Sequence, residues 1–364
     1  MRTIVALSVT LAALAAATLG PTLGPTLSTR PGTAGTATAA EPDRRTSRAA
    51  VDLRVGSFNV RNVSLDRTEG EVRPWRERRP AVIANILGEN LDVLGVQEVN
   101  PSKAFAPRLV DGPNQYLDLR NGLNAAGGSF ALTNRYAYNC RKPMTQYRCK
   151  PANRGASHSD RILYNTQTVT LVKQGKMKYD AQVGSLSPAH LAWAVLRSNL
   201  NGAPFLFTTT HLEPKQAKVR RAQWREMVKK INDLKGDLPV IATGDFNTHK
   251  FSPIAQKFLP RMKDAGYGDV LNQQYRVTRI ANPRAQSTVN GWMNTANKFN
   301  RDVRTFGYWN EQFRAGNNID WIFAGNGLPV REYKVVTSWD PNTWQVNGVI
   351  PSDHNMVRAT LGLG

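Results

Sequence analysis

The stretch Leu238-Pro239-Val240-Ile241-Ala242-Thr243-Gly244-Asp245-Phe246-Asn247 decides the fold. Its apolar run reads as a buried strand, and the glycine, carboxylate and carboxamide that follow mark the strand's end. Far downstream, Ser352-Asp353-His354 precedes another apolar run. A strand ending in Asp and Asn, met by Asp-His from a second strand, can hold a metal and a water beside a phosphate. The two segments together point to phosphoester chemistry.

Working outward, the same pattern recurs. Leu53 to Val60, Leu91 to Glu98, Phe205 to His211 and Ile319 to Phe323 are apolar or alternating runs, each carrying a polar residue at or beside one end. Between them lie helical patterns, Pro74 to Leu87 and Lys215 to Leu234. In the second, Ala217, Arg221, Trp224, Val228 and Ile231 share one face, which makes Trp224 a core residue rather than a ligand contact. Strands interleaved with helices give an α/β layered fold. Lys334 to Thr337 and Asn355 to Leu361 add late strands with no long helix between them, so part of the sheet is expected to be antiparallel. No internal repeat is present by periodicity.

Asn59, Glu98, His211, Asp245, Asn247, Asp320, Asp353 and His354 all fall at or beside predicted strand ends. Polar residues at such ends converge on one rim in open α/β sheets. Carboxylate and carboxamide oxygens suit a hard divalent cation such as magnesium. Histidines beside them can stabilise charge on a phosphate or move protons near neutral pH. Each signal alone is weak; the joint set in this order is specific.

With these residues in place the chain resembles the endonuclease/exonuclease/phosphatase superfamily, from Phe58-Asn59-Val60 through Gln97-Glu98, Thr210-His211-Leu212, Gly244-Asp245-Phe246-Asn247 and Ile319-Asp320 to Ser352-Asp353-His354. The resemblance implies a four-layer α/β/β/α sandwich with two mixed β-sheets. It also implies that Glu98, with Asn59 and Asp353, holds the cation, magnesium first with manganese or calcium as alternatives. By the same resemblance Asp245 orients or deprotonates the attacking water and Asn247 contacts the phosphate. His354, oriented by Asp320, stabilises the transition state, and His211 acts from the other side. Arg161 opens a strand that lies near the site in the superfamily, so phosphate contact and sheet packing both remain open for it and for Tyr164. His249 reads as a solvated loop residue, and His158 and His190 have no acidic partner at an obvious spacing.

Met1-Arg2-Thr3 and the uncharged stretch Ile4 to Leu19, followed by Ala37-Thr38-Ala39-Ala40, match a secretory signal. Residues 1–40 are therefore read as signal and leader, 41–50 as a flexible linker and 51–364 as one catalytic domain. The apolar segment is short for a membrane span and nothing later supplies one, so an exported, soluble monomer is expected. Cys140 and Cys149, the only cysteines, are expected to form a disulfide clipping one loop, and without a nearby histidine they argue against a zinc site.

The formal charge of +21 falls only to +19 when residues 1–40, with Arg2 and Arg30, are removed. Such an excess attracts polyanions. The segment Gln286 to Asn318 interleaves Trp292, Phe299, Phe306, Tyr308 and Trp309 with Lys298, Arg301, Arg304 and Arg314, a composition that suits nucleobase stacking, a membrane interface or a self-packed loop. The leading expectation is a nuclease hydrolysing DNA, with RNA as a second candidate, and with little sequence preference. The alternative is a sphingomyelinase or phospholipase C type enzyme acting on an anionic lipid headgroup, or a phosphomonoesterase. His211, where abasic-site endonucleases carry asparagine, favours the secreted deoxyribonuclease or sphingomyelinase side. Asn100 stands where secreted animal deoxyribonucleases carry an arginine, which argues against their minor-groove contact. Every expected catalytic position is filled, which disfavours a silent polyanion-binding protein.

Overall fold

The computed structural model describes residues 49–102, 105–133, 159–183, 189–271, 285–305, 309–310, 315–316, 318–325 and 327–364, with backbone alone at 309, 310 and 315. The expected leader and the Cys140–Cys149 bridge lie outside the described residues.

Two large mixed sheets form the centre. In the first, seven strands run in the order Ser287–Val289, Val330–Val336, Met356–Leu363, Val51–Asn59, Val93–Gln97, Arg161–Asn165 and Phe130–Leu132. Val51–Asn59 lies antiparallel to Met356–Leu363 and parallel to Val93–Gln97. The second has six strands, Val169–Lys178, His190–Ser198, Pro204–His211, Val240–Asp245, Asp320–Gly325 and Tyr267–Asp269. Here Pro204–His211 and Val240–Asp245 are parallel, and Asp320–Gly325 is antiparallel to its neighbours.

The sheets pack face to face. Leu53, Val55, Val93 and Ile162 of the first meet Ala192, Phe205, Phe207, Ile241 and Ile322 of the second in one buried core. The outer face of the first sheet, with Leu94 and Val96, is covered by α1 (Trp75–Gly88) and α2 (Gln115–Ala125) through Val82, Ile86, Leu117 and Leu123. The outer face of the second, with Leu206, Ala242 and Phe323, is covered by α3 (Ala217–Lys235) and α4 (Pro253–Asp264) through Trp224, Met227, Phe258 and Met262. This is the expected four-layer α/β/β/α sandwich. A strand covered on both faces has no polar side, which is why Val240–Asp245 is buried throughout and reads as a continuous apolar run.

Trp224 is fully buried, stacked on Phe258 at 5.0 Å and edge-on to Phe246 at 4.9 Å, as the helical pattern predicts. The buried face of α3 is rotated from the predicted one. It carries Arg220, Gln223, Trp224, Met227 and Ile231 rather than Arg221 and Val228. The polar members enter because they tie the loop before the helix: Arg220 donates to the carbonyls of Glu213 and Pro214, and the Gln223 side chain accepts from the Glu213 N–H.

Pro253 sits in the first turn of α4, where its missing N–H is harmless, and Ser252 caps that turn by accepting from the Ala255 N–H at 3.2 Å. Trp292 packs against Trp339 and Trp344, and Phe299 lies buried under the Arg61 and Arg78 guanidinium groups. These two aromatics of the 286–318 segment are thus engaged with the protein itself. Among the described residues no helix is long and apolar enough to cross a membrane.

Candidate active site

Asp245 ends the central strand of the second sheet, and register decides its neighbours: His211 lies opposite it on one side and Asp320 on the other. Gly244 makes the first pairing close. A β-carbon there would stand 2.2 Å from the Thr210 carbonyl oxygen, so only glycine lets the strand before His211 approach. Phe246, fully buried in the helix-covered core, anchors the chain just past the carboxylate. His211 Nε2 consequently lies 3.3 Å from Asp245 Oδ2.

The last strand brings in His354. Its Nδ1 donates to Asp320 Oδ2 at 2.9 Å, and its Nε2 stands 3.8 Å from Asp245 Oδ2. The Asp320 bond sets the tautomer and ring orientation. From the first sheet, Asn59 Nδ2 reaches across to Asp245 Oδ2 at 3.2 Å and to Glu98 Oε1 at 3.0 Å. The same sheet is pulled close beneath the site by Gly95, where a β-carbon would lie 2.5 Å from the hydroxyls of Thr209 and Thr243.

Glu98 adopts a left-handed φ of 63°, an unusual conformation for a residue with a long side chain, and its Oε2 accepts from the Asn62 N–H at 2.9 Å. The Ser352 hydroxyl bonds the Asn59 carbonyl at 2.7 Å and lies 3.2 Å from Asp353 Oδ1, tying the two chain ends together. Asn247, also left-handed at 46°, donates its N–H to Asp245 Oδ1 and its Nδ2 to the Leu212 carbonyl.

Asn59, Glu98, His211, Asp245, Asn247, Asp320, Asp353 and His354 are therefore brought to one rim where the two sheets meet. Arg161 departs from the expectation of substrate contact. Its side chain is fully buried, with the guanidinium 4.5 Å over the Tyr116 ring and donating to the Asp160 carbonyl, so it has no surface from which to touch phosphate. Tyr164 is half-buried and His190 buried, both in strands.

Two further neighbours of the site emerge only in the structure. Asp160 is buried beside His211, and Arg61 donates to Asp353 Oδ2 at 2.6 Å. The signal for Asp160 was present: it immediately precedes a strand that pairs with the one leading into Glu98.

Burial is the largest single influence on each titratable group of the site that is shifted. It lifts the Asp160 carboxyl to about 7, against which the His211 and Arg161 charges work. Burial also opposes charge on His211, yet the facing carboxylates of Asp245, Glu98 and Asp160 outweigh it and raise the imidazole above its usual range. His354 behaves likewise: burial lowers it, but Asp320 and Asp245 hold it well above an ordinary histidine. The buried Asp320 carboxyl is itself raised by desolvation despite its imidazole partner.

Carboxylates exceed cations in this cluster, a donor chemistry that fits a hard divalent ion. Glu98 and Asp353 bring partly exposed carboxylates to the edge of the cluster, with the buried Asn59 amide between Glu98 and Asp245. Asp245, Asp320 and His354 also place ligand atoms within 4.8 Å of one another. In that trio the Asp320 bond occupies the His354 Nδ1 and leaves its Nε2 open, while in the other set Asn59 Oδ1 accepts from the Arg61 N–H at 3.0 Å and Asp353 Oδ2 from the Arg61 guanidinium at 2.6 Å.

The sequence profile described as the Endonuclease/Exonuclease/phosphatase family matches residues 56–354. Nocturnin of Drosophila melanogaster is 26% identical over 215 residues, which is 56% of this chain and 30% of that protein's length. Among solved structures, a mannosyl-6-phosphatase of Bacteroides thetaiotaomicron superposes with a TM-score of 0.59 at 19% identity, covering 85% of this chain and 99% of the other. TDP2 of D. rerio, complexed with a single-strand DNA product, superposes with a TM-score of 0.52 at 15% identity, covering 85% and 98%. The profile match spans most of the chain, and with the fold it establishes that the chain belongs to the Endonuclease/Exonuclease/phosphatase family, hydrolases acting on phosphoric esters.

Proposed function

We propose that this chain is an exported, magnesium-dependent phosphodiesterase that acts as a monomer and hydrolyses nucleic acid, DNA foremost, with little sequence preference. The observation that carries the chemistry is the meeting of one carboxylate oxygen, Asp245 Oδ2, with His211, His354 and Asn59 at 3.3, 3.8 and 3.2 Å.

Asp245 orients a water and accepts its proton. Its second oxygen is fixed by the Asn247 N–H, which holds the carboxylate plane. The imidazolium of His354, kept charged by Asp320, donates to phosphate oxygens as charge develops on them, and His211 donates from its own side. Such donors accelerate hydrolysis because they bind the transition state more strongly than the ground state. Glu98, Asn59 and Asp353 would hold the magnesium ion, which when bound supplies Lewis-acid stabilisation of the same charge.

Nucleic acid as the substrate class is supported by the charge of +19 that remains without residues 1–40, since phosphate neutralisation supplies most non-specific affinity. The single-strand DNA bound to the similar TDP2 of D. rerio agrees with it. Purified protein incubated with plasmid DNA, RNA and sphingomyelin vesicles, each with and without chelator, tests the reading. Chelator-sensitive DNA cleavage is expected; hydrolysis of sphingomyelin alone would overturn the choice of substrate. Asp245→Asn and His354→Ala should each lower turnover by about 10²- to 10⁴-fold while leaving the circular dichroism spectrum unchanged. Near-normal turnover in either folded variant would sink the mechanism.

A further inference from the structure

A cleft of about 340 Å³ opens against His211 and plays no part in the mechanism above. Its apolar lining comes from Val183, Leu212 and Pro214, and its polar lining includes Asp160, Glu213 and Lys215. The volume lies at the lower end of the range for small-molecule sites, which are also mostly apolar with a few placed polar groups.

Two of those polar groups are set for a ligand. Asp160 is 3% exposed, and its Oδ1 makes no hydrogen bond among the described residues. A buried carboxylate oxygen without a donor is destabilising unless something arrives to donate to it. Glu213 is held rigid: Oε1 accepts from the Lys215 and Gln216 N–H groups at 2.9 and 3.2 Å, and its own N–H donates to Gln223. Lys215 is exposed among the lining residues, where a cation attracts a neighbouring phosphate.

We propose that this cleft is a subsite for a nucleoside, one substituent of the phosphate that His211 serves. Its ring lies against Val183, Leu212 and Pro214 and its O–H or N–H groups donate to Asp160 and Glu213. The inference rests on the phosphodiesterase reading and narrows it. A lipid chain would leave the buried Asp160 Oδ1 without a donor, and so would the quaternary ammonium of a choline headgroup. A nucleoside has both the flat apolar faces and the donors.

The test compares three esters with the magnesium-loaded protein: thymidine 5′-(p-nitrophenyl) phosphate, methyl p-nitrophenyl phosphate and p-nitrophenyl phosphocholine. The thymidine ester should be preferred over the methyl ester in kcat/KM by at least about tenfold, the scale of one or two hydrogen bonds to charged groups. Val183→Trp, which fills the cleft, and Glu213→Gln, which keeps its shape, should each reduce that preference by at least about fivefold. Binding of thymidine 5′-monophosphate in chelator, read by calorimetry, should weaken in parallel.

Equal efficiency on the thymidine and methyl esters, equal fractional losses on both in the variants, or preference for the phosphocholine ester would each overturn the subsite while leaving phosphodiester hydrolysis standing. Failure of the wild-type protein on all three would remove the phosphodiesterase reading itself.

Discussion

Asp245, Asp320 and Asp160 are three buried carboxyl groups with three different partners, and their partners assign their work. Asp320 faces His354, and its removal should be read in the pH profile. The carboxylate raises the imidazole, so Asp320→Asn should bring the loss of the protonated ring to lower pH and shift the alkaline limb of the rate profile downward, with turnover reduced by about 10²- to 10³-fold. An unshifted limb would separate His354 from that limb. Asp160 has a folded pKa of about 7 against 3.8 for the free side chain. The folded form therefore holds its proton more tightly, so stability falls as pH rises from about 4 to 7 and levels off above. Asp160→Asn should abolish that contribution, on the order of a few kcal/mol. The gap in unfolding midpoint between variant and wild type should widen across the window; a constant gap would contradict it. A strand pattern leaves Arg161 open between phosphate contact and packing and does not single out Asp160, because it does not tell which of two adjacent side chains lies beside His211 and which is buried against a tyrosine.

At the scale of elements, the site depends on two register pairings of one strand, His211 with Asp245 and Asp245 with Asp320. Gly244 is the residue on which the first depends. Gly244→Ala should push the two parallel strands apart, destabilise the fold by about 1 to 3 kcal/mol as overpacked cores do, and lower activity further than the stability loss explains. Wild-type activity and melting temperature together would show that the close approach is dispensable. The strands and helices around the site were legible from periodicity, including α1 and α3 to within two residues at each end. The turn of α3 about its own axis was not. Arg220 and Gln223 are buried because they bond the loop ahead of the helix, and that polar capture overrides the apolar pattern.

For the whole molecule, the two consequences to measure are salt and metal dependence. Binding to duplex DNA in chelator should weaken steeply as salt rises, with log affinity falling by about 0.9 per phosphate contacted for each unit of log salt. A flat salt response would separate the charge of +19 from substrate binding. Chelator should abolish hydrolysis and added magnesium restore it, read as plasmid nicking. By itself the sequence determined the layered α/β class and the eight polar residues of the rim, because strand period and strand-end chemistry are written locally, one residue after another. Only the tertiary structure decided that Asn59 reaches across from the other sheet to Asp245, that Arg161 turns inward, and that Asp160 and Glu213 line a cleft beside His211. Those depend on how two sheets are spaced and on which face each side chain occupies, and the packing of residues distant in the chain sets both.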